Sequence, residues 1–319
     1  YEELEDWIPK KIYDCHIHML NNDLINDESE HKNIFPDADL KVINEWHNIL
    51  FPGREINNLF LGRPALGTNI QAYNDFLSKE INSNKLTRSH RLTTPSDSLK
   101  DIENDIKNKG FQGLKVYRMY SVTGDIANCV IEDYLPHEQL ELANDLGLWI
   151  TLHMSREDGC GDEENLKDLE NFTTQKYPNI KWILAHVARS FTYRPIQRGI
   201  DTLKNLPNIW YDLSAVTDIR PFITLFKNEN HKRFFYGTDG IESVSFHGSY
   251  TTFAHAHNQI ETDNIESLKF LHTTNRPVIC LYENLIAIKQ AAIFCELNRE
   301  QIEDIFWKNA VREFNVPWD

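Results

Sequence analysis

The sequence predicts a (β/α)8 barrel, and three observations carry that prediction. Short apolar, β-rich runs recur along the chain; a polar or glycine-bearing loop and then a stretch of helical spacing follow them; and with one weaker run included they number eight. The competing fold with this alternation is the doubly wound open sheet, which announces itself by a glycine-rich turn after its first strand. No such turn and no P-loop is present. At 319 residues the length alone would suggest two domains, but an α/β barrel routinely runs to ~250 residues as one, so we expect a single domain over 1–319.

The runs read as strands are, in order, Lys11–His16, Asn58–Gly62, a weaker one near Ser89–Thr93, Phe111–Arg118, Leu148–His153, Ile180–His186, Ile209–Leu213 and Arg233–Gly237. Between them Ser98–Lys109, His137–Leu146 and Asn165–Tyr177 carry apolar residues three or four apart, and the first stops at Gly110 as a helix C-cap does. After the last strand, the polar segment 240–274 is too long for a routine connection and reads as a lid or insertion over the site. Tyr282–Glu296 and Arg299–Phe314 read as two closing helices.

Composition excludes several classes. With 33 basic against 48 acidic residues the formal charge is −15, so a polyanionic nucleic acid is repelled. The composition, 41% hydrophobic and 25% charged, is that of a globular chain and not of a disordered one. No apolar run approaches the ~18–20 residues of a membrane span; the best, Ile279–Ile288, is interrupted at Tyr282, Glu283 and Asn284. The acidic first residues carry no signal-peptide pattern. Five cysteines without a C-x-x-C pair argue against a disulfide framework or a zinc finger, and we expect a reducing cytoplasm.

Histidines and one acid fall at strand ends. His16 and His18 sit at the end of the first run, two apart, so in an extended chain both side chains point the same way. His153 ends the fifth, His186 the sixth, and Asp239 follows the eighth. Strand C-termini of a barrel converge on one mouth, where three or four imidazoles and a carboxylate suit zinc, manganese or ferrous iron. Taken singly, each histidine is more often a hydrogen-bonded rim residue, and Asp239 a turn or N-cap residue. Five such residues at the right ends need those bland readings to hold independently and together.

This arrangement resembles the amidohydrolase superfamily, and the local text its amidohydrolase-2 (ACMSD-like) branch. Phe111-Gln112-Gly113-Leu114-Lys115-Val116-Tyr117 is similar to the branch's fourth strand, Ile183-Leu184-Ala185-His186 to its sixth, Tyr236-Gly237-Thr238-Asp239 to its eighth, and Asn309-Ala310-Val311-Arg312-Glu313-Phe314 to its closing helix. The resemblance implies that His16, His18, His153 and Asp239 approach one divalent metal, most often zinc. His186 stands beside it, on a second metal or on the water and substrate. It further implies that Asp239 takes the proton of a metal-acidified water and passes it on. Asp14 reads either as an acceptor behind a ligand histidine or as a polar residue of the barrel floor. Lys115 corresponds to the lysine that bridges two metals in other members, but three residues before Arg118 it reads as deep for that role, and charge pairing is the other reading.

For the substrate, Arg63, Arg118, Arg156 and Arg189 follow strands two, four, five and six, and guanidinium forks suit a small anionic substrate. Trp46, His47, Tyr117 and Tyr120 are candidates to wall a pocket, and His247 to reach down from the lid. His255 and His257 form a second His-x-His, without strand text around it, that we do not read as a metal site; Cys15 points opposite to the histidines and reads as core. The expectation is a metal-dependent hydrolase of a carboxylate-bearing amide or lactone. Non-oxidative decarboxylation of an unsaturated or aromatic acid is the alternative; retention of His16, which some decarboxylases of the branch replace with Glu, weighs modestly against it. A non-catalytic metal-binding barrel is the third reading, and it predicts a lost ligand where none is lost. Relatives are often homo-oligomers, and nothing in the chain opposes that.

Overall fold

The computed structural model describes residues 2–245, 248–253, 256–261 and 278–318. Eight strands lie side by side in chain order: β1 (Lys11–Met19), β2 (Glu55–Gly62), β3 (Arg88–Leu92), β4 (Gly113–Tyr117), β5 (Trp149–His153), β6 (Lys181–Leu184), β7 (Ile209–Asp212) and β8 (Phe234–Phe235). Neighbours pair in parallel throughout. Backbone bonds across the seam complete the ring: Cys15 N donates to Tyr236 O at 2.8 Å and Asp239 N to His16 O at 2.7 Å. The fold is the (β/α)8 barrel that the alternation predicts.

Most strands are fully buried because helices cover them outside. Leu114, Val116, Ile150, Leu152, Trp182 and Leu184 lie within one apolar cluster between strands and helices, which is why these strands read as continuous apolar runs. The N-terminal end of the barrel is plugged by aromatic rings: Phe314, from the closing helices, sits 5.0 Å from Trp149 and 5.1 Å from Phe235, centroid to centroid. At the other end Gly62 ends β2 because an added Cβ would come within 2.4 Å of Leu92 Cβ.

Several boundaries differ from expectation. β1 runs on to Met19, with a register irregularity between Asp14 and Ile17, so both His16 and His18 are strand residues. β6 stops at Leu184, two residues before His186, because His186 enters a left-handed turn. β4 is shorter than Phe111–Arg118, and β8 is reduced to two residues. The expected Asn165–Tyr177 helix is Glu163–Asn171 followed by a π-turn over Phe172–Lys176, and a second π-turn, Asp304–Lys308, interrupts the last helix. Helices at Leu40–Leu50, Ile70–Ile81, Tyr193–Leu203 and Ile219–Asn228 had no clear signal. Tyr193–Leu203 contains Pro195 and Gly199, and a Cβ at Gly199 would lie 2.2 Å from Cys160 O, so packing overrides weak propensity there. In the segment 240–274, a short helix (Gly240–Ser245) precedes an antiparallel hairpin of β9 (Gly248–Phe253) and β10 (Ala256–Glu261); its remaining residues lie outside the described ones.

Candidate metal centre

Four imidazoles gather at the C-terminal mouth, and each is pinned by its Nδ1. His16 Nδ1 lies 2.6 Å from Asp212 Oδ2, His18 Nδ1 3.1 Å from Leu61 O, His153 Nδ1 3.2 Å from Met154 O and His186 Nδ1 3.0 Å from Ser214 Oγ. A partner on Nδ1 sets the tautomer that leaves Nε2 as a free lone pair, the arrangement a ligating histidine requires. The rings touch one another: His16 is centred 5.0 Å from His18 and 4.9 Å from His186, which is 5.2 Å from His153.

Asp239 closes the group. Its Oδ1 is 3.4 Å from His16 Nε2 and 3.8 Å from His18 Nε2. Donors ~2.0–2.1 Å from a tetrahedral zinc stand ~3.4 Å apart, so these separations fit a metal without rearrangement. His16, His18 and Asp239 offer one atom each, all within 4.8 Å of one another. His153 is not in that trio; its ring lies beside it, 5.2 Å from that of His186. His16, His186 and Asp212 form a second close trio, but here the atoms already bond: Asp212 Oδ2 accepts from His16 Nδ1, Ser214 Oγ at 2.9 Å and His186 N at 3.1 Å. That trio is the scaffold of the first.

Local backbone is strained where it presents these groups. His186, Val187, Ala188 and Arg189 take φ of 57°, 53°, 55° and 59° in succession, and Asp239 takes 62°. Left-handed geometry costs roughly 1–2 kcal/mol for each L-residue, so the surrounding contacts must hold it. Ser190 N donates back to His186 O at 2.9 Å, and Val187 and Ala188 are fully buried.

Burial sets the charges. It pushes His16, His153 and His186 well below the usual histidine range and His18 down to about 3, so all are neutral at pH 7. Asp239 is raised, by burial first and then by Glu242 and Asp212. Lys115, 1% exposed, places Nζ 3.4 Å from His16 Nε2; burial lowers it to about 8 while Asp239, Asp212 and Glu242 oppose the shift. Because β4 ends at Tyr117, Lys115 is nearer the mouth than the sequence suggested.

The structure distributes the other predicted residues unevenly. Tyr117 stacks 4.4 Å from His153. Arg118 donates through Nη1 to Ile126 O at 2.8 Å, while its buried Nε has no hydrogen-bond partner among the described residues. Arg189 donates to Arg156 O; burial and then Arg118 lower it to about 10. Arg156 is engaged by Asp162 of its own loop at 2.8 Å and donates to Asn128 O, in the connection between β4 and β5, at 3.0 Å. Arg63 donates from Nε to Glu242 Oε1 at 2.8 Å. Trp46 and His47 line a small cavity of about 10 Å³ with Ile17, on the face of β1 opposite the histidines, so they do not wall the mouth. Tyr120 is held by Ala65. Cys15 is buried core. His247 and His255 lie outside the described residues; His257 stacks 4.9 Å from Phe191, itself 5.3 Å from His186.

Asp14 is not the acceptor behind a ligand ring. It accepts from Thr238 N at 3.0 Å, Thr238 Oγ1 at 2.5 Å and His16 N at 3.1 Å, tying the Asp239 turn to β1. The acceptor is Asp212, which sequence reasoning missed although the strand-end rule applies to it: it is the last residue of β7, a lone carboxylate after Ile209-Trp210-Tyr211.

Comparisons with known proteins bear on the fold and the family. No curated protein matches the sequence significantly. The fold is similar to a probable 2-pyrone-4,6-dicarboxylic acid hydrolase from Acinetobacter baumannii with citric acid bound (TM-score 0.59, 14% identity, 95% of this chain and 99% of that one). It is also similar to a dihydroxybenzoic acid decarboxylase from a Polaromonas species with manganese and 2-nitroresorcinol bound (0.55, 15%, 97% and 98%). A third similar structure is 2,6-dihydroxybenzoate decarboxylase from Rhizobium (0.58, 12%, 98% and 100%). Residues 88–316 match the amidohydrolase family model, a stretch that holds His153, His186, Asp212 and Asp239 and leaves His16 and His18 before it. On that match the chain belongs to the amidohydrolase family.

Proposed function

We propose that this chain is a metal-dependent hydrolase of a small carboxylate-bearing amide or lactone, with His16, His18, His153 and Asp239 holding one divalent ion, zinc before manganese or iron. The observation that carries the reading is the set of four neutral imidazoles with every Nδ1 engaged, so that Nε2 carries the lone pair, beside a carboxylate. A divalent ion in such a cradle supplies Lewis acidity, polarising a carbonyl and acidifying water.

The chain's own groups do the rest. Asp239, at the mouth with 14% side-chain exposure, takes a proton at its carboxylate and returns it to the leaving group. His186, its ring fixed by Ser214, offers Nε2 as an acceptor to a water or substrate O–H. Lys115 balances the acids around it, a role supported by the charges of Asp239, Asp212 and Glu242 that act on it; bridging two metals is the lesser reading. Arg118 and Arg189, the charge of the first acting on the second, anchor the substrate carboxylate, with Tyr117 and His257 nearby. The hairpin of 240–274 then acts as part of a lid. Five free cysteines suit a cytoplasmic setting, and among the described residues no helix is long and apolar enough to cross a membrane.

Decarboxylation is the second reading, favoured by the similar fold of enzymes named as decarboxylases, one with manganese bound. Product analysis separates them. Metal-loaded protein is incubated with unsaturated lactone acids and hydroxybenzoates: ring-opened acid without bicarbonate supports hydrolysis, and bicarbonate release supports decarboxylation. Asp239→Asn should abolish either; full turnover by that variant refutes the assignment.

A further inference from the structure

The ion pair between Arg63 and Glu242 is incomplete, and the way it is incomplete describes a ligand group. Arg63 Nε meets Glu242 Oε1 at 2.8 Å, with the side chains 7% and 30% exposed. Arg63 Nη1 and Glu242 Oε2 are both buried without a hydrogen-bond partner among the described residues. A buried open donor group, Nη1, and a buried open acceptor, Oε2, therefore remain on a single ion pair. Buried polar groups in native proteins are satisfied by protein, water or ligand, so both atoms call for an occupant.

The pair also adjoins the metal cradle. Arg63 directly follows Gly62, which pairs with Met19 beside His18, and Glu242 lies three residues after Asp239 in the helix Gly240–Ser245; Glu242 is accordingly the strongest charge acting on Asp239. The guanidinium lies over the Phe35 ring at 4.9 Å, which holds its plane.

The chemistry of the open atoms selects among substrate groups. A carboxylate would accept from Nη1 but meets the Glu242 charge with nothing to donate. An ammonium would donate to Oε2 but is repelled by Arg63. A hydroxyl accepts from Nη1 and donates to Oε2 through one oxygen. We infer that Arg63 and Glu242 form a subsite for a substrate hydroxyl, so that the substrate is a hydroxy acid and Glu242 a determinant of specificity. This rests on the proposed reading of Arg118 and Arg189 as the carboxylate anchor, and it moves Arg63 from the carboxylate-binding role its sequence position suggested.

The test uses protein loaded with Mn²⁺ and calorimetric titration with benzoate, the three monohydroxybenzoates and the three methoxybenzoates. At least one hydroxy isomer should bind about tenfold tighter than benzoate and than its methoxy counterpart. In Glu242→Gln the amide oxygen must face Arg63 Nε, which puts an NH₂ where Oε2 stood. The hydroxyl advantage should then fall to within about twofold, and the methoxy compound, an acceptor only, should gain. Melting temperature checks that the variant is folded. A hydroxyl advantage that survives in Glu242→Gln overturns the inference, as does benzoate binding with no gain for any hydroxy isomer. Failure of every probe, benzoate included, overturns the carboxylate reading beneath it.

Discussion

Replacing Asp212 with asparagine tests how the cradle is held. The carboxylate accepts four hydrogen bonds: Oδ2 from His16 Nδ1 at 2.6 Å, Ser214 Oγ at 2.9 Å and His186 N at 3.1 Å, and Oδ1 from Ser214 N at 2.8 Å. Asparagine keeps one acceptor oxygen and must turn an NH₂ toward donors. The less costly choice keeps oxygen on the Oδ2 side and sets NH₂ against Ser214 N–H. That leaves a buried donor unmade, about 1–3 kcal/mol, and removes the charge that strengthens the bond to His16. Loss of an outer partner of a metal ligand typically costs 10–100-fold in affinity, about 1.4–2.7 kcal/mol. Asp212→Asn should therefore bind zinc 10–100-fold more weakly in competition with a chromophoric chelator and melt a few degrees lower. The exposed Asp201→Asn, whose carboxylate pairs only with Lys204 in an ion pair, serves as the unaffected control. Zinc affinity within about threefold of wild type in Asp212→Asn would refute the claim that the Asp212 carboxylate strengthens His16 as a ligand.

Two further perturbations bear on the same architecture. Gly237→Ala places a Cβ 2.7 Å from Asp212 Oδ1 and 2.7 Å from His16 Cβ, so overpacking of about 1–3 kcal/mol and weaker zinc binding should appear together in denaturation and chelator titrations; an unchanged variant would mean that the turn after β8 yields freely. His90, buried beneath Lys115 with Nδ1 2.8 Å from Thr151 Oγ1, is lowered to about 3, by burial first and then by Lys115. Its folded pKa lies below the unfolded value of ~6.5, so the unfolded chain binds the extra proton and stability falls as pH drops below 6.5, by about 1.4 kcal/mol per unit. His90→Gln should flatten urea-denaturation stability by about 2 kcal/mol between pH 6.5 and 5 relative to wild type, and parallel curves would contradict this.

The barrel was legible because buried parallel strands leave long apolar runs, and because strand ends carry residues that apolar periodicity does not explain. His16 and His18 stood out for that reason, as did Asp239 after Tyr236-Gly237-Thr238. Less legible were features created by packing between distant segments. Asp212 carries no spacing signal relative to His16, 196 positions away, and becomes its partner only when β7 and β1 face the same mouth. Glu242 looked like one acid in a polar segment until Arg63 met it. The left-handed turn at His186–Arg189 is invisible in the text, since none of its residues is glycine. The arginines show the reverse: four positions after strands looked equivalent, yet Arg156 is engaged in its own loop and Arg63 by Glu242, while the charge of Arg118 acts on Arg189 at the mouth.

The central claim is that the pinned imidazoles and Asp239 hold a metal ion. Elemental mass spectrometry of the protein purified without chelator tests it most directly, with His18→Ala measured beside the wild type. The account predicts about one equivalent of zinc or manganese per chain, lost in His18→Ala. A wild-type content near zero that added zinc, manganese or ferrous iron does not restore would contradict it.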